Sequence, residues 1–144
     1  AHLWDSVSRF LRRPRWQKFL LVESYLYLFI ARVAVRLLPF KVVAGWIGRQ
    51  GESTEDEVTC GTPALIKWSI STARRYAFWN TLCLTQALAA KLMLNSRGLK
   101  STLYLGTTRP RDGKLVAHAW VRCGSLIVTG ERGHEDYTVV ACFA

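Results

Sequence analysis

At Gly98 the hydrophobic period of this chain changes from helical to strand-like. Before it, Trp16 to Leu38 contains no Gly or Pro and stops at Pro39, which disfavours a helical residue ahead of it. Phe19, Leu20, Leu26, Ile30, Val33 and Leu37 recur at three- and four-residue steps. Leu21, Tyr25, Leu28 and Phe29 widen that stripe, predicting a helix buried on most sides. Shorter helices are predicted over Lys41 to Arg49 and over Thr62 to Tyr76, the latter with Pro63 in its first turn. A further helix carries Leu84, Ala87, Leu88 and Leu92 on one face, with Asn80 or Thr81 as N-cap and Arg97-Gly98 closing it. Cys83 then sits in its first turn. After Gly98, Ser101–Thr107, Leu115–Cys123, Ser125–Thr129 and Tyr137–Phe143 read as strands. Turns are expected at Pro110–Gly113 and at Cys123-Gly124. Helices followed by an antiparallel meander predict an α+β fold. The expected division is a helical segment over 1–50 packed on the core, an acidic loop over 51–58, and the core over 59–144, in one compact domain.

Composition narrows the function classes. Half of the 144 residues are hydrophobic, enough to bury a core, so disorder is excluded. The longest apolar run, Phe19 to Ala31, contains Glu23 and falls short of the ~20 residues a membrane span needs. No signal pattern opens the sequence. Cysteines 60, 83, 123 and 142 lie far apart without a CxxC pair, which speaks against a zinc ribbon or disulfide scaffold; free thiols suit a reducing cytoplasm. Nine basic and two acidic residues in 1–50 concentrate the +10 formal charge there, favouring an acidic partner. Basic balance alone does not make a nucleic-acid binder: zinc-finger spacing and aromatic RNP-type strands are both missing. Neither a P-loop nor a GxGxxG motif is present, so no nucleotide cofactor is indicated, and no metal is expected.

Chemistry concentrates at Cys83. Unsatisfied N–H groups and the helix dipole stabilise a thiolate at a helix start, and the backbone N–H of Cys83 is placed to serve as an oxyanion donor. A nucleophilic Cys needs a base, and His118 in Val116-Ala117-His118-Ala119-Trp120-Val121 is flanked by small residues that leave room beside its ring. On residue type alone, an inert packed Cys and a satisfied core His are the commoner roles. His2 and His134 read as surface residues, and Cys60, Cys123 and Cys142 as structural.

Cys83-Leu84 opening an Ala/Leu helix, Arg97-Gly98, Leu103-Tyr104-Leu105-Gly106 and Ala117-His118-Ala119-Trp120-Val121 resemble the lasso-peptide leader peptidases, the transglutaminase-like B proteins of lasso-peptide biosynthesis. The resemblance covers about residues 15 to 143 and includes the 35-residue spacing from Cys83 to His118. It implies a papain/transglutaminase-like core whose catalytic Cys at a helix N-terminus packs on an antiparallel sheet. The implied activity is cysteine-peptidase removal of a leader from a ribosomally made precursor, ahead of a lasso cyclase. The implied partners are the precursor (leader) peptide, a separate RiPP recognition element that presents it, and the cyclase. Cys83 matches the family nucleophile and His118 its general base. The third member departs from the family's Asp: Glu131 is favoured, with Thr129, expected opposite His118, as the alternative. Glu135 and Asp136 follow, and a backbone or hydroxyl acceptor without any acid stays open. Asn80 and Gln86 are candidate oxyanion or substrate contacts, and Trp120 a candidate cleft wall. A transglutaminase-like acyl transferase and a non-catalytic peptide-binding adaptor are the alternative functions.

Overall fold

The computed structural model describes residues 2–51, 61–77, 82–109 and 113–144. Among them, five helices precede a four-stranded sheet: α1 His2–Leu11, α2 Arg15–Leu37, α3 Phe40–Ile47, α4 Thr62–Ala73 and α5 Cys83–Ser96, then β1 Thr102–Thr108, β2 Val116–Cys123, β3 Leu126–Thr129 and β4 Thr138–Phe143. The sheet is antiparallel in the order β3-β2-β1-β4, so the α+β expectation holds. Beyond Gly51 the acidic loop lies outside the described residues, as do Cys60, the expected caps Asn80 and Thr81, and Pro110–Asp112 of the first expected turn.

Helix α5 is the centre of the molecule. It touches α2, α3, α4 and three strands, and Ala87, Leu88, Ala89, Ala90, Met93 and Leu94 are all buried. A helix apolar on every side belongs inside, and its alanines let neighbours approach closely. The amides of Gly98 and Leu99 close it on the carbonyls of Asn95 and Leu94, a Schellman ending. Arg97 then clamps Glu23 of α2 through two bonds of 2.7 and 2.6 Å. Lys91 is 2% exposed and donates to the Ser101 carbonyl (2.6 Å) and hydroxyl (3.0 Å), tying α5 to the approach of β1. Burial lowers its pKa to about 8.

Helix α2 corrects the expectation of burial on most sides. Its inner face is Leu20, Leu21, Ser24, Leu28, Ala31 and Ala34, while Phe19 (76% exposed), Leu26 (54%) and Leu37 (76%) point outward. Close crossing against α4 and α5 selects small side chains. The hydroxyl of buried Ser24 reaches that of Ser69 at 2.7 Å, which in turn donates to the Ile66 carbonyl.

The β2–β3 hairpin also differs from expectation by one residue. Its turn is Gly124-Ser125, with Cys123 opposite Leu126, because Gly124 supplies the positive φ (60°) that the turn requires. A bulge beyond Arg122 then sets Thr129 opposite Val121 rather than His118. Gly130 follows directly, beside Trp120.

Candidate active site

Cys83 is the first residue of α5, capped by the extended backbone of Leu82 with no side-chain cap bond. Its thiol is half-buried at a helix end whose first N–H groups have no intrahelical acceptor. Alternation along β2 sends Ala119, Val121 and Cys123 into the helical core and His118, Trp120 and Arg122 to the other face. Cys83 and His118 border one groove of about 540 Å³, walled by Lys67, Ile70 and Arg74 of α4, Gln86 of α5, and the chain from Val128 to Arg132. The structure thus gathers Cys83, His118, Gln86, Thr129 and Glu131 around one opening. Asn80 lies outside the described residues.

The imidazole of His118 is held from three sides. Its Nε2 lies 2.8 Å from the Gly130 carbonyl. A carbonyl only accepts, so Nε2 carries the proton and the neutral ring keeps its lone pair on Nδ1. Trp120 stacks on one side (centroids 5.8 Å apart, 25° between planes), and Tyr137 lies on another at 5.0 Å. Trp120 itself is buried and stacked on Tyr104 at 5.6 Å. It is therefore a platform behind the histidine and does not line the groove. Two glycines make this packing fit. A Cβ on Gly106, which pairs with His118, would lie 2.8 Å from the Trp120 ring. One on Gly130, whose φ is +73°, would lie 2.4 Å from the Ala119 carbonyl oxygen.

Among the described residues, no acid meets the ring. Glu131 turns its carboxylate to Lys67 Nζ at 2.5 Å, and the hydrogen bond from that ammonium lowers the carboxyl's pKa. Glu135 stands 3.8 Å from Nδ1 of His134. Thr129 is 7% exposed and its hydroxyl has no partner among the described residues. The acceptor on His118 is a main-chain oxygen, a group without a residue-type signature. Tyr137, Lys67 and Arg74 were also beyond the reach of motif reading; a Gly directly after a strand that follows the histidine was the available signal for position 130.

The arrangement offers a thiol at a helix start, an imidazole whose Nδ1 has no partner among the described residues, and a groove lined by Lys67, Arg74 and Arg132. Among the described residues, no three His, Cys, Asp or Glu side chains converge to hold a metal, and no helix is long and apolar enough to cross a membrane. Cys83, Cys123 and Cys142 form no disulfide among the described residues. A family model described as transglutaminase-like superfamily matches residues 32–142, from the last turns of α2 into β4. No match is found among curated proteins or among solved structures.

Proposed function

We propose, from the premise that this chain belongs to the transglutaminase-like superfamily, that it is a cysteine peptidase removing the leader from a lasso-peptide precursor. The superfamily includes cysteine peptidases and acyltransferases, and both chemistries pass through a thioester. The observation that carries the reading is His118 fixed by Gly130 with Nδ1 left as an acceptor, on the same groove as Cys83.

In this mechanism Nδ1 of His118 takes the Cys83 proton, and the thiolate attacks the carbonyl carbon of the last leader residue. The Cys83 N–H and the Gln86 amide hold the oxyanion. As the tetrahedral centre collapses, the C–N bond breaks and His118 returns its proton to the departing amine of the core peptide. His118 then deprotonates a water, which attacks the thioester, releases the leader acid and restores the thiol. Throughout, Nε2 keeps its proton and donates it in a hydrogen bond to the Gly130 carbonyl oxygen. A RiPP recognition element presents the leader, and the freed amine passes to the cyclase.

Mass spectrometry of a lasso precursor mixed with this protein, with and without a recognition-element partner, tests the reading. Two fragments that together exceed the precursor by one water indicate hydrolysis, whereas capture of an added amine indicates acyl transfer. Cys83→Ala is expected to abolish cleavage without altering the fold, and cleavage that persists at the same bond overturns the assignment. Iodoacetamide labelling of Cys83 no faster than of Cys142 points instead to a packing thiol in an adaptor.

A further inference from the structure

Phe19, Val22, Leu26, Ile30, Val33 and Leu37 succeed one another on α2 at steps of three and four, and all six are exposed. At about 1.5 Å per residue the seam runs on the order of 27 Å, with the spacing of a coiled-coil contact. Helix α1 faces its first half across a groove and buries no residue of its own. Leu3, Val7 and Phe10 of α1 and Val22 and Leu26 of α2 enclose an apolar groove of about 290 Å³. An exposed apolar surface of this extent on a folded domain marks an interface.

Charge selects the occupant. Arg12, Arg15 and Lys18 stand at one end of the seam and Arg36 near the other, none in an ion pair among the described residues. The acids of α1 and α2 are Asp5 and Glu23, and Glu23 is engaged by Arg97. A second copy laid along the seam would set Arg15 and Lys18 against Arg36, or against themselves, so like charges oppose self-association in either direction. An anionic lipid surface satisfies the charge but has no use for a concave apolar groove, which suits the knobs of a helix. We propose that the outer seam of α2, with the groove it shares with α1, docks an amphipathic helix of another protein whose apolar stripe is flanked by acidic residues. Four of the six seam residues precede residue 32, where the superfamily match begins, so most of the seam lies outside the matched region. The inference holds whether or not the groove at Cys83 cleaves peptide.

The test uses the full chain and two synthetic amphipathic peptides of about three heptads. Both have leucine on the apolar stripe; one has glutamate flanks and the other lysine flanks. Fluorescence anisotropy is expected to show the glutamate peptide binding at least about tenfold tighter. Phe19→Ser with Leu26→Ser should weaken it about tenfold or more, and Arg15→Glu with Lys18→Glu should invert the preference. Phe19, Leu26 and Arg15 are exposed and Lys18 is half-buried, and unchanged circular dichroism and Cys83 alkylation rates certify the variants. Equal binding of the two peptides, or of neither, overturns the proposal. So does a micromolar dimer in sedimentation that the Phe19→Ser/Leu26→Ser pair dissolves. Recruitment to phosphatidylglycerol vesicles without peptide binding replaces the proposal with a lipid-facing surface.

Discussion

Helices α2 and α5 are both rich in apolar residues, yet one wears them outside and the other inside. On α5 the alanines and leucines are buried on nearly every side, and even Lys91 is enclosed. On α2 the residues against the core include Ser24, Ala31 and Ala34, while phenylalanine, valine and leucine face solvent. Burial in this molecule therefore follows how near the neighbouring helix comes, and side-chain hydrophobicity on α2 follows a second demand.

The sharpest way to break the comparison is one substitution made twice on α2. Leu28→Ala empties a fully buried site and should cost about 3 kcal/mol, whereas Leu26→Ala, two residues away, should stay within about 0.5 kcal/mol. Urea denaturation of both variants measures the difference, and equal losses would mean that the seam is part of the core. Next comes Gly130→Ala, which combines a positive φ with the clash on Ala119 and should cost about 2 kcal/mol. If the peptidase reading is right it also displaces the carbonyl under His118, so turnover should fall at least about tenfold.

On α5, Lys91 adds a pH test. Between about 8 and its ordinary value of 10.5, the unfolded chain holds a proton that the folded chain has released, so stability rises with pH across that window. The gain is on the order of 3 kcal/mol, and Lys91→Met should flatten it in thermal scans at successive pH values. The smallest effect belongs to Glu131→Gln. With its carboxylate on Lys67, its loss should change peptidase turnover by no more than about threefold. A collapse matching that of His118→Ala would make the carboxylate, rather than the Gly130 carbonyl, the functional partner of the ring.

From α2 onward the element order was readable, because period, Pro39 and Gly98 are local signals that tertiary packing did not override, whereas helix α1 was not anticipated. The sequence also placed Cys83 at a helix start and His118 on a strand. The inner face of α2 was not readable, since Ser24, Ala31 and Ala34 are selected by the distance to α4 and α5, which no residue encodes alone. The partner of His118 escaped because a one-residue turn shift and a bulge changed the register, and because a backbone oxygen looks the same in every amino acid. Tyr137 needed the sheet to close before it could reach a ring carried by β2.

That main-chain anchor has a consequence for how the site tolerates change. A side-chain partner can be deleted by one codon or silenced by taking up a proton; the oxygen at position 130 is subject to neither. The orientation of the imidazole is therefore inherited from the path of the chain, and it drifts only when that path is displaced, as by a side chain at position 130.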